Sequence, residues 1–387
     1  MKAACQRAST TSSEPLDWDL LHAPIRQYLT RVLIILLSVG AGLVNVMAQT
    51  RTNAYVTNLS GTVSVIDIAT DTVVATISVG IFPSGVAITP DGTRVYVTNI
   101  FNSISVIDAT TNIVVVTIPS GQLPTGIAIT PDGTRAYVVN QFVTNQDNNT
   151  VSVIDTKTNT IVATISVGLG PSEIAITPDG TRSYVPNQQD FIISVIEIAT
   201  NKVFTTIPVS GTAGIAITPD GTRAYVTSPG SGIVSVIDTA TNTVVATIAL
   251  GTNENPFGVA ITPDGSRAYV TIGFPNNFVS VIDTATNTVL AAIPVGVAPR
   301  GIAITPDGTR TYVTNNDSDT VSVIDTTTNT VVATIPVGVG PVAVAVTPMR
   351  QTPTDKNQCK HHGYLTFGPP GGPFKNQGQC VSYVEHL

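Results

Sequence analysis

From Ala54 onward, apolar runs rich in Val, Ile and Tyr alternate with polar turn formers in a fixed order that recurs along the chain. A variant of A-Y-V-T-N comes first, at Tyr55, Tyr96, Tyr137, Tyr184, Tyr225, Tyr269 and Tyr312, spaced 41, 41, 47, 41, 44 and 43 residues apart. A copy of V-S-V-I-D follows, ending at Asp67, Asp108, Asp155, Glu197, Asp238, Asp283 and Asp325. Then come a version of T-A-T-N-T-V-V-A-T-I, a Gly/Pro loop and G-I-A-I-T-P-D-G. Each unit holds four short β-type runs, and four strands in a period of about 40–45 residues predict one blade of a β-propeller.

Local chemistry agrees. T-P-D-G puts Pro at the first central position of a type I turn and Gly where a positive φ is wanted. A-T-N-T supplies Asn for the next reversal. Gly and Ala in G-I-A-I suit an innermost strand, where blades crowd, and Val, Ile and Tyr further out are expected to fill the widening gap between blades. The repeats begin in mid-unit at Ala54 and end with P-V-A-V-A-V-T-P at Pro341 to Pro348. Seven complete blades result only if that last strand joins the first three, which closes the ring and leaves no open inner edge. An open solenoid would want distinct caps at both ends, and none is present. The expectation is an all-β, seven-bladed propeller over residues 49–348. Over about residues 52–348 the Y-V-T-N, V-S-V-I-D and I-T-P-D-G copies resemble the YVTN family of exported bacterial and archaeal seven-bladed propellers. That resemblance implies an extracytoplasmic binding or scaffold role more than a single chemistry.

The flanks differ. Val32 to Ala48 is an uncharged apolar run preceded by Arg26 and Arg31, with Val46 and Ala48 placed as in a signal-peptidase site before Gln49. Residues 1–48 are expected to be an export signal, with an uncleaved N-terminal anchor as the alternative. Residues 349–358 read as a polar linker and 359–387 as a small module similar to a C-terminal piece of other secreted bacterial proteins. Its Cys359 and Cys380 are expected to form a disulfide.

Composition narrows the chemistry. The propeller region contains no His, Cys, Met or Trp; His22, His361, His362 and His386 lie outside it. Haem, copper and zinc sites normally need those side chains, and His-assisted nucleophiles have no base here. No cofactor and no metal site are expected, although a carboxylate site remains open, as a Ca²⁺ ligand set or an acid/base pair. The formal net charge of -7 disfavours strong nucleic-acid binding.

Specificity is expected where the copies differ. One face carries the nearly invariant T-P-D-G-T-R and T-A-T-N-T turns, whose acids read as architectural. The other carries loops that vary in length and content. Phe82, Phe101, Phe142, Phe191, Phe257, Phe274 and Phe278 fall there, with Ser84, Asp190 and, at the mouth of the central channel, Glu173 and Arg300. These residues form the candidate site of a monomeric, extracytoplasmic, non-enzymatic propeller that binds a protein, glycan or cell-wall component. Membrane contact is expected only through an uncleaved N-terminal segment. The alternative is a carboxylate- or Ca²⁺-dependent lactonase or hydrolase using Glu173, Asp190 and Arg300. Single-stranded nucleic-acid binding ranks third.

Overall fold

The computed structural model describes residues 52–141 and 149–348. The expected export segment, Phe142, and the expected linker and C-terminal module with Cys359 and Cys380 lie outside the described residues.

Seven antiparallel four-stranded sheets form the seven expected blades. The innermost strands of adjacent blades touch in a closed circuit. Blade 1 joins Pro341–Val346 to Asn53–Asn58, Thr62–Asp67 and Thr72–Ser78, so the last strand of the chain completes the first sheet as the sequence predicts. Ala54 pairs with Val346, Tyr55 with Ala345 and Val56 with Val344. Blades 2 to 7 follow in chain order.

The repeated letters explain themselves through hydrogen bonds. Each motif tyrosine is fully buried and reaches the next blade. Tyr96 donates its hydroxyl to Asn159 Oδ1 at 2.7 Å, Tyr184 to Asn242 at 2.8 Å and Tyr269 to Asn329 at 2.8 Å. The accepting Asn is the positive-φ residue of the A-T-N-T turn, so one residue both turns the chain and receives the neighbour. The circuit closes when Tyr312 of blade 7 donates to Asp71 of blade 1 at 2.8 Å, and Arg310 pairs with the same carboxylate.

The threonine of Y-V-T-N makes an inner staple. Thr98 Oγ1 accepts from Gly85 N and donates to the Thr125 carbonyl of the next blade, both at 2.7 Å. Thr57, Thr227, Thr271 and Thr314 donate in the same way to Ser84, Phe257, Arg300 and Val342. Glycine is needed beside this staple, because a Cβ on Gly85 would lie 2.2 Å from the Thr125 carbonyl oxygen. The final Asn stays within its blade; Asn99 Nδ2, for example, donates to Ser105 Oγ at 3.0 Å.

The T-P-D-G turns consume their acids. In the fourth repeat of this turn, Asp220 accepts from the hydroxyl of Thr218 and the amide of Thr222, and these bonds lower its carboxyl pKa. Asp264 is lowered to about 2, first by the Thr262 hydroxyl and then by the Ser266 amide. These carboxylates are architectural, as expected. One packing expectation changes. Val and Ile of the second and third strands fill the space between blades, whereas the fourth strands turn residues such as Val73, Val74, Val244 and Val245 to solvent. A bulge at the second residue of each V-V pair interrupts these outer strands, and bulges protect open edges from pairing.

Candidate functional site

Antiparallel pairing sends the loop after Y-V-T-N and the loop entering the next innermost strand to the same face. The two loops are clipped together by backbone bonds. Leu59 N donates to Gly340 O at 3.0 Å, Ile100 N to Phe82 O at 3.1 Å and Gln188 N to Gly170 O at 2.8 Å. Val79 N bonds Gly61 O, and Val209 N bonds Phe191 O at 2.9 Å. Each accepting residue has a positive φ that aims its carbonyl at the donor.

Two accepting positions recur: the one before the innermost strand holds Gly170 and Gly340 but also Leu123 and Ala298, all at positive φ, and the one after Y-V-T-N holds Gly61, Asn102, Gly232, Asn277 and Asp319. Blade 2 instead has Phe82 at φ 50° and blade 4 has Phe191 at φ 54°. A bulky L-residue in this region costs about 1–2 kcal/mol. Neither ring recovers that cost by burial, since Phe82 is 44% and Phe191 58% exposed. Strain retained at an exposed aromatic residue is characteristic of functional positions.

The candidate phenylalanines separate into groups. Phe82 and Phe101 lie together, with ring centroids 5.9 Å apart, beside exposed Ile81. Phe257 supports Arg300, whose guanidinium carbon is 5.5 Å from the ring centroid, and its edge packs on Gly273. Phe274 is 73% exposed. Phe278 opens the strand Phe278–Asp283 and packs half-buried against the core around Val234 and Val270. Ser84 is half-buried, its carbonyl held by Thr57. Four exposed aliphatic residues that a search for aromatics misses, Ile81, Leu169, Val297 and Val339, occupy equivalent loop tips on this face. Their signal in the sequence is the residue after V-G, two places before Pro.

Glu173 and Arg300 are the only exposed residues of the seven innermost segments, 83–88, 124–129, 171–176, 212–217, 256–261, 299–304 and 341–346. Glu173 stands where Gly85, Gly126, Gly214, Gly258 and Gly301 stand in other blades. The residue keeps an exposed surface, yet its carboxyl is enclosed by the surrounding blades. That enclosure raises its pKa from 4.5 to about 7, against a weak lowering by the Ile174 amide. Asp190 is not its partner: Asp190 Oδ2 accepts from Leu169 N at 2.6 Å and fixes the loop of its own blade.

Charge divides between the faces. Eight of the nine bases among the described residues are on the turn face, namely Arg94, Arg135, Arg182, Arg223, Arg267, Arg310, Lys157 and Lys202. The three ion pairs among the described residues, Arg94–Asp108, Arg223–Asp238 and Arg310–Asp71, are also there. The variable face has Glu173, Asp190, Glu254, Asp317 and Asp319 with Arg300 as its base. No group of three or more His, Cys, Asp or Glu suited to a metal occurs among the described residues.

A family model described as the Choice-of-anchor I domain matches residues 37–214, which end at the innermost strand of blade 5. Comparison with curated proteins gives no match. Among solved structures, hydrazine synthase from Kuenenia stuttgartiensis is similar at 26% identity and a TM-score of 0.62, over 67% of this chain and 88% of that one. A functionally unknown protein from Desulfotomaculum acetoxidans superposes with a TM-score of 0.68 at 18% identity, over 77% of this chain and 99% of that one. The periplasmic gluconolactonase of Pseudomonas aeruginosa does so with a TM-score of 0.65 at 18% identity, over 76% and 99%. At 18% identity the likeness concerns the fold.

Proposed function

We propose that this chain is an extracytoplasmic, surface-associated propeller that acts by binding a partner on its variable face. The observation that carries this reading is the pair of exposed phenylalanines, Phe82 and Phe191, held at positive φ, Phe191 where other blades use Gly, Asn or Asp. A rim that only needed solvation would have no use for either. The Choice-of-anchor match and the Y-V-T-N resemblance support a role at the cell exterior.

Phe82→Gly and Phe191→Asn are expected to act in opposite directions on stability and binding. Each relieves strain and raises stability by about 1 kcal/mol. Together they lower retention of the partner at least tenfold on a panel of glycans, peptides and cell-wall fractions. Retention equal to the parent, with the same thermal unfolding, would remove the basis of the proposal.

Glu173 favours a second reading. A carboxyl near neutrality at a channel mouth suits a general base, and one structural neighbour is a gluconolactonase. Against it, Asp190 is committed to its loop and leaves Glu173 without a second carboxylate. A lactone screen with and without Ca²⁺ decides: turnover abolished by Glu173→Gln establishes hydrolysis, and its absence leaves binding.

A further inference from the structure

Blades 3 and 4 depart from the repeat at three positions that surround the innermost segment of blade 4. Glu173 replaces the innermost glycine, Pro186 replaces the staple threonine of its own blade, and Val139 replaces that of blade 3. In blade 5, Gly214 N donates to Thr227 Oγ1 at 2.8 Å, and Thr227 N donates to Gly214 O at 3.0 Å. Pro186 has neither hydroxyl nor N–H, so it can make neither bond to Glu173. Val139 has no hydroxyl for the Ser172 carbonyl. Ser172 Oγ replaces part of the lost staple by donating to Ala213 O at 3.0 Å. The innermost strands shorten here to Ala175–Ile176 and Ile215–Ile217, and the glutamate carboxylate lies against Gly126, where a Cβ would come within 2.9 Å of Glu173 Oε2. Three rule-breaking residues in one place, each weakening the joint, are the pattern expected of a functional site.

The opposite wall has the complementary departure. Arg300 of blade 7 stands where other blades have Ser84, Thr125, Ser172, Ala213, Phe257 and Val342. Blades 4 and 7 are three steps apart in a ring of seven, so the two charges occupy opposite sides of the mouth. They do not pair with each other or with another charge among the described residues. The Glu173 carboxylate has the 3.4 Å contact with Ile174 N, and the Arg300 guanidinium lies over the Phe257 ring. Stacking on an aromatic face leaves the guanidinium edge free for a carboxylate.

We infer that the channel mouth binds an extended zwitterion, a short peptide with free termini, whose ammonium group meets Glu173 and whose carboxylate meets Arg300. This rests on the variable face being the binding face, and it adds the ligand class. A ligand that uses only Arg300 is a different class, and binding that survives N-acetylation and Glu173→Gln distinguishes it.

The probes are oligoalanines of two to six residues with free termini, measured by calorimetry against the whole protein. Binding is expected to peak at one length, the one that spans the mouth. N-acetylation or Glu173→Gln weakens that peptide at least tenfold, and so do C-amidation or Arg300→Gln. Acetylation has no further effect in Glu173→Gln, nor amidation in Arg300→Gln. Affinity rises from pH 6 to a maximum between about 7 and 8 as Glu173 ionises, and falls at higher pH as the peptide's α-amino group, with a pKa of about 8, loses its proton. The residues against it, Ser172, Ile174 and Gly126, with Val139 and Pro186 on flanking strands, bring no competing titratable group. Thermal unfolding of both variants is expected to stay at or above that of the parent. Binding at none of these lengths, or equal binding of capped peptides, overturns the inference. If the Phe82 and Phe191 variants lose the partner while no peptide binds, the binding face stands and the zwitterion site falls.

Discussion

A chain stopped before Pro341 is expected to lose the ring, whereas a chain stopped after Pro348 is expected to keep it. The strand Pro341–Val346 is the innermost strand of blade 1, and its partner Asn53–Asn58 is buried throughout. Removing it exposes that partner's edge and breaks the Asn53 N to Thr347 Oγ1 bond of 2.8 Å. It also ends two inner staples, Thr314 Oγ1 to Val342 O at 2.9 Å and Ala343 N to Thr57 Oγ1 at 3.0 Å. Val344 and Val346 leave the cluster of Tyr312, Ala54 and Ile66 that joins blade 7 to blade 1. Each apolar side chain removed from such a core forfeits about 1.5–3 kcal/mol, and each orphaned buried backbone group about 1–3 kcal/mol. Their sum reaches the whole stability of a typical domain, roughly 5–15 kcal/mol. Circular dichroism melts of the two truncations test this. A cooperative transition in the shorter chain within a few degrees of the longer one would show that the clasp is dispensable.

This closure was legible because a missing quarter-unit at one end matched a spare strand at the other. The blades were equally legible, since Tyr55 to Tyr312 count them and T-P-D-G marks every inner hairpin. The bonds between blades were less so. Tyr96 and Asn159 are 63 residues apart, and only the ring brings the hydroxyl of one repeat to the turn of the next. The candidate site was partly legible. The sequence grouped seven phenylalanines by loop, but a seven-fold ring carries loops of different blades to different sides. Hence Phe82 meets Phe101, Phe257 meets Arg300, and Phe278 turns inward. The strain at Phe191 left a trace, because the aligned residues of other copies are mostly Gly, Asn or Asp, whereas Leu123 and Ala298 mask it at the Phe82 position. Reading it required knowing the φ of that position. The gap in the inner staple was written as Y-V-V-N and Y-V-P-N at Val139 and Pro186, but its meaning depends on where the threonine hydroxyl points.

Restoring those letters should stabilise the protein and silence the channel mouth. In the triple variant Val139→Thr, Glu173→Gly, Pro186→Thr, blades 3 and 4 regain the residues of the inner staple. Each restored hydrogen bond is worth about 0.5–1.5 kcal/mol net, and Pro186→Thr returns about 0.4–1 kcal/mol to unfolded-chain entropy. The expected gain is about 1–2 kcal/mol from the staples, with a further contribution from removing the enclosed carboxyl. That further part depends on pH, and its sign is fixed. Glu173 is raised to about 7 in the folded chain from 4.5, so the fold favours its protonated form. The stability it contributes is fully present below about pH 4.5 and is lost as pH rises through 7. Replacing it therefore stabilises more at pH 8 than at pH 5. Calorimetric melts at both values provide the check, with a higher Tm for the variant and the larger increase at pH 8. A variant no more stable than the parent at pH 8 would mean that the three departures carry no strain. Stability gained together with loss of ligand would show that blade 4 gives up rigidity for recognition.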